Sequence, residues 1–194
     1  MAWTGRIVPP SAFQAMPWKN GMGMTWEIAK TPEWRLSLAA IETDAPFSRF
    51  EGQDRFLVVI EGAGIELGFT PPVRLLHHEA LRFPGETPVT CHLIDGPTRD
   101  LNLMVDRAMA SFSASLVKGA DVAMAAPGAR FFLAMALAGR ARLEMAGYPP
   151  VELEQGSAFI AERWSGDEGE RPLLHVGEGN AAFQASIVPL RDAG

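Results

Sequence analysis

Residues 55–69 read RFLVVIEGAGIELGF. Phe56 to Ile60 form an apolar run rich in β-branched side chains, the composition of a buried strand. Gly62 and Gly64 supply a turn, and Ile65-Glu66-Leu67 then alternates apolar and polar as a returning strand does. Residues 134–147, AMALAGRARLEMAG, echo this hairpin. They give an apolar strand, a small-residue turn, and Leu143-Glu144-Met145 in the place of Ile65-Glu66-Leu67. Each copy is followed by another glycine-marked strand, ALRFPGE at 80–86 and ELEQGSAFIA at 152–161. Two similar β units in one chain predict two sandwich or barrel modules, the first over residues 1–107 and the second over 108–194.

The same period of two extends outward from the hairpin. In WRLSLAAI, Trp34, Leu36, Leu38 and Ala40 share one face, while Arg35, Ser37, Ala39 and Ile41 share the other. In TRDLNLMV, Asp100, Asn102 and Met104 oppose Leu101, Leu103 and Val105. Fifteen prolines and nineteen glycines, spread along the chain, provide the turns of a β meander. Helical patterns are scarce. A short piece around residues 106–117 is the best helix candidate, and its serines weaken it.

The chain has 194 residues, 47% of them hydrophobic and 21% charged, as in an ordinary globular protein. A net charge of −6 and the lack of any run of lysines or arginines argue against nucleic acid as a partner. The opening MAWTGRIVPPSAF has no apolar core followed by a cleavage site, so no signal peptide is expected. FFLAMALAG is far short of the ~20 apolar residues of a membrane-spanning helix. The single cysteine, Cys91, lies in the apolar context PVTCHLI and reads as a buried hydrophobe. One cysteine also excludes an intrachain disulfide and fits a reducing cytoplasm.

Metal binding is not expected. Ligands on one strand sit two residues apart to face the same way, whereas His77 and His78 are adjacent, and His92 and His175 have no nearby ligand-type residues. No G-x-S-x-G marks a nucleophile. GMG at 21–23 lacks the lysine and serine or threonine of a phosphate loop. More informative are the polar residues on strand-like segments: Asp100 with Asn102, Thr25 with Glu27, Arg55 with Gln53, and Arg35 with Ser37. Any one of these is ordinary strand decoration. Together they put hydroxyl, amide, carboxylate and guanidinium groups on several strands of one module, as a pocket for a small polar ligand requires.

Three stretches carry a family likeness. MPWKNGMGMTWEIA at 16–29 resembles the W-[KR]-N-G-G-G-x-T-x-E-I segment of the HutD/Ves family. WRLSLAAIETDAPFSRFEGQDRFLVVIEGAGIEL at 34–67 is similar to its R-L-S-x-A, P-F-S-x-F and D-R features in the same order. LIDGPTRDLNLMVDR at 93–107 matches D-G-P-x-x-D-x-N-x-M. The resemblance implies an all-β, two-module cupin fold (RmlC-like jelly roll, a bicupin) with few short helices. It also implies a link to bacterial histidine utilisation, through binding of a small anionic metabolite such as urocanate or formylglutamate. Metal-dependent cupins carry H-x-H where this chain has Phe47-Ser48-Arg49-Phe50, which agrees with no metal and no cofactor. The chain departs from the family pattern at Met22, in the place of a glycine, and at Trp26, where a basic residue is common.

On this basis the expected ligand site has Trp18 and Phe50 as apolar walls. Asn20, Thr25 and Asn102 supply neutral hydrogen bonds beside the Gly21 turn, and Arg55 a charge-assisted one. Glu27 and Asp100 orient Arg55 or Lys19, or accept from a ligand N–H. A non-catalytic or weakly catalytic small-molecule binding protein, possible as a homodimer through edge strands, is the leading expectation. The alternatives are a metal-free cupin enzyme with Glu27 or Asp100 as base, in the manner of isomerases and epimerases, and a protein-interaction or stress-response cupin.

Overall fold

The structure, a computed structural model, describes residues 3–18, 23–163 and 170–190. Its strands run in chain order as β1 (Trp3–Val8), β2 (Gln14–Pro17), β3 (Gly23–Lys30), β4 (Trp34–Ile41), β5 (Ala45–Pro46) and β6 (Gln53–Glu61). Then come β7 (Gly64–Leu67), β8 (Val73–Leu76), β9 (Ala80–Pro84), β10 (Thr90–Ile94), β11 (Thr98–Asp106) and β12 (Ala110–Lys118). The remainder are β13 (Asp121–Met124), β14 (Phe131–Ala138), β15 (Ala141–Glu144), β16 (Val151–Leu153), β17 (Ala158–Arg163), β18 (Leu173–Val176) and β19 (Ala181–Pro189). A 3-10 turn at Pro10–Ala12 is the one helical element among the described residues, so no helix there is long and apolar enough to cross a membrane.

The fold is all-β, and the chain divides into two compact units. The unit Phe13–Met109 pairs a six-stranded sheet, ordered β2-β3-β4-β11-β6-β9, with a four-stranded one, β5-β10-β7-β8. The other unit holds β1-β17-β14-β19-β12 and β13-β18-β15-β16. Adding eight to each label of β4-β11-β6-β9 and β5-β10-β7-β8 reproduces the second pair of sheets, so the weak echo in sequence is a true repeat of topology. The repeat extends to irregularities. Before each glycine hairpin the long strand carries one residue that its partner strand skips: Ile60 on β6, opposite Arg99/Asp100 of β11, and Leu137 on β14, opposite β19. Such a bulge fixes which positions correspond in the two units.

Each unit has its own apolar interior. In the first, Leu57, Val59, Ile65, Leu67 and Phe83 cluster with Cys91, whose thiol burial pushes up to about 12. In the second, Phe132, Leu143, Leu153, Phe159 and Leu174 do the same.

Two expectations are corrected. Residues 106–117 form no helix: they make a turn and then β12, whose alternating burial from Ala110 and the full length of its pairing with β19 satisfy a strand. The division at residue 107/108 also misplaces the N-terminus. β1 pairs along its whole length with β17, so residues 3–12 belong with the unit that begins at Ala110. The histidine pair sits in the turn after β8, its rings stacked with centroids 3.9 Å apart.

Candidate functional site

Three adjacent strands, β4, β11 and β6, build the floor of a cavity in the unit Phe13–Met109. Residues opposite one another in an antiparallel pair project from the same face. Register places Met104 between Arg35 and Arg55, Asn102 between Ser37 and Leu57, and Asp100 between Ala39 and Val59. The alternation read from sequence therefore puts both arginines, the serine, the acid and the amide on one side of the sheet. Above them lies a cavity of about 610 Å³, within the ~300–1,000 Å³ typical of small-molecule sites. Trp18, Thr25, Phe47 and Phe50 contribute its walls.

Arg55 is 4% exposed. Its Nε donates to Asn102 Oδ1 at a long 3.4 Å, and its guanidinium carbon lies 5.0 Å from the ring centres of Phe47 and Phe83 and 5.7 Å from that of Phe50. The aromatic faces offset part of the cost of burying the charge, yet burial still holds Arg55 below its ordinary pKa, Asp100 pulling the other way. Asp100 is 2% exposed, and its Oδ1 has no hydrogen-bond partner among the described residues. Burial raises its carboxyl to about 7, against the opposing pull of Arg55. A buried acceptor without a donor and a buried fork with one weak bond are each costly. The cavity is thus lined by groups whose hydrogen-bonding capacity is not filled among the described residues.

Around this centre the scaffold is well satisfied. Trp18 Nε1 donates to Thr25 Oγ1 at 2.8 Å, and its backbone N–H to Gly23 O at 3.0 Å. A Cβ at Gly23 would lie 2.8 Å from both the Trp18 ring and Ala40 O, so the glycine exists here to let the indole lie on the backbone. Gly85 bonds Phe50 N–H through its carbonyl and Gln53 O through its own N–H, which fixes the loop carrying Phe50. Of the expected site residues, Trp18, Thr25, Phe50, Arg55, Asp100 and Asn102 line the cavity. Glu27 does not: buried opposite Ser37 on β4, it accepts from Arg35 Nε at 3.0 Å and pairs with Lys30 Nζ at 3.0 Å. Lys19, Asn20 and Gly21, with the departure at Met22, lie outside the described residues. Arg35 and Ser37, read from the sequence only as polar strand residues, line the cavity as well, and so does Phe47. Their alternation signal was visible, but only the order β4-β11-β6 shows that Arg35 shares a chamber with Arg55.

A profile of the HutD family matches residues 10–175. The chain belongs to the HutD family. Relatives of this HutD-family chain include an uncharacterized 21.2 kDa protein in the hutC 3'-region of Pseudomonas putida, 41% identical over 101 residues, which are 47% of this chain and 53% of that protein. Protein Ves of Escherichia fergusonii is 35% identical over 96 residues, 45% of this chain and 50% of Ves. The chain spans about half the length of the curated relatives it matches. The solved HutD of Pseudomonas fluorescens SBW25 is 26% identical with a TM-score of 0.81, covering 96% of this chain and 100% of that one. A cupin 2 conserved barrel domain protein from Leptotrichia buccalis aligns at TM-score 0.57 and 11% identity, over 90% of this chain and 92% of that one. At that identity the likeness concerns the fold alone, which is of cupin type.

The repeat adds an internal comparison. With the bulges as anchor, the positions of Arg55, Asp100 and Arg35 in this HutD-family chain correspond to Phe132, Ala182 and Ser113 of the other unit. Phe132 and Ala182 are fully buried in that unit's apolar cluster. There the positions of Arg55 and Asp100 hold apolar side chains that pack into the core, and the charged set is absent as a group.

Proposed function

We propose that this protein binds a small carboxylate, such as urocanate or formylglutamate, and through that binding modulates histidine utilisation without itself turning the ligand over. The reading rests on one observation: among the described residues, a buried Arg55 with a single long hydrogen bond lies in one cavity with an unpartnered Asp100 oxygen. A ligand carboxylate on the guanidinium and a ligand N–H on Asp100 would complete both. Each charge-assisted bond contributes about 1.5–3 kcal/mol, so two or three give micromolar to millimolar affinity. The one buried cysteine suits a reducing cytoplasm.

Calorimetric titration with urocanate and formylglutamate tests this. Binding by the wild type and a loss of ten-fold or more in Arg55→Gln is the expected outcome; equal affinity in the two proteins removes Arg55 and the proposal with it. A second reading, acid–base catalysis, draws on the near-neutral carboxyl of Asp100. Asp100 rather than Glu27 is its base in this reading, since Glu27 is paired with Arg35 and Lys30 and is not among the residues lining the cavity. Turnover of either compound by the wild type, abolished in Asp100→Asn, would favour this reading over pure binding.

A further inference from the structure

We infer that the cavity is built for a dicarboxylate, one carboxylate held by Arg55 in its depth and the other by Arg35 nearer its mouth. The inference rests on the binding role proposed above and assigns Arg35 as the residue that selects for a second negative charge. Both arginines line the same cavity. They flank Met104 on β4 and β6, on either side of β11, which separates their backbones by two strand spacings, about 10 Å.

Their hydrogen bonding is alike. Asn102 takes Nε of Arg55 and Glu27 takes Nε of Arg35. Among the described residues, no protein acceptor takes the Nη groups of either. A guanidinium fork held by its Nε and open at its Nη edge is oriented for bidentate contact with a carboxylate. Glu27 does not cancel the second positive charge, because Lys30 shares that carboxylate. Lys30, Glu27 and Arg35 together keep a net charge of about +1. The depths differ too: Arg55 is 4% exposed, whereas the Arg35 side chain is 29% exposed. Met104, 6% exposed between them, offers an apolar rest for the methylene chain joining two carboxylates. In the repeated unit both arginine positions are lost together, as expected of groups that work as a pair.

Glutarate and butyrate, which differ by one carboxylate, are the probes. Wild-type protein is expected to bind glutarate at least ten-fold more tightly than butyrate by calorimetry, the effect of one charge-assisted contact. In Arg35→Gln that preference should collapse to within about three-fold. Should this variant fail to fold, Glu27→Gln combined with Arg35→Gln leaves no stranded buried carboxylate and reads the same ratio. Equal affinity of the wild type for both probes, both weakened by Arg55→Gln, overturns the dicarboxylate inference and leaves carboxylate binding standing. No binding of either probe, or binding indifferent to Arg55→Gln, overturns both.

Discussion

Burial of Asp100 with one oxygen unpartnered gives the protein a specific pH dependence. Its carboxyl rises from about 3.9 in an unfolded chain to about 7 in the folded one. Between those values the folded state holds a proton that the unfolded state has lost. The stability this provides is complete below pH ~4 and drains away as pH climbs towards 7, at about 1.4 kcal/mol per unit of displacement. Asp100→Asn removes that slope. Thermal unfolding at pH 5 and pH 8 should show the variant gaining on the wild type between the two; a difference that stays constant would mean Asp100 does not titrate in this range. Strand alternation made the shared face of Asp100, Asn102 and Met104 legible from sequence. That Arg35 shares a cavity with Arg55 was not legible, because their neighbour relation runs through a strand far along the chain.

Among the elements, the start of β3 is the most constrained by a single atom. Alanine at Gly23 would press its Cβ onto the Trp18 ring and the Ala40 carbonyl, the overpacking that typically costs about 1–3 kcal/mol. Gly23→Ala is expected to lower the urea midpoint by that much and to weaken the near-ultraviolet dichroism of the tryptophans as Trp18 leaves Thr25. An unchanged spectrum would show that the indole does not rest on Gly23. The glycine hairpins and most strands announced themselves through apolar alternation and turn residues. β12 did not, since Ser111, Ser113 and Ser115 dilute its pattern; only its nine-residue ladder with β19 settles it as a strand. The membership of β1 is equally hidden, because pairing with β17 joins residues 150 to 160 positions apart and no local preference records that.

At the level of the whole molecule, one topology is used twice with different residues at corresponding buried positions. Phe132 fills in one unit the position where the other keeps Arg55, and Ala182 replaces Asp100. The sequence showed the repeat through its hairpins and showed where polar residues concentrate, but correspondence at single positions needed the bulges at Ile60 and Leu137. Unequal interiors imply unequal resistance to local opening. A cavity and two under-satisfied buried charges weaken the strands around them, whereas a filled apolar cluster does not. In deuterated water, backbone amides of β6 and β11 should therefore exchange sooner than their counterparts in β14 and β19. A saturating ligand should slow the first pair alone, by an amount equivalent to about 2.7 kcal/mol at a hundred-fold excess over its dissociation constant. The exchange pattern would then act as a map of occupancy, with half of the chain as its internal reference.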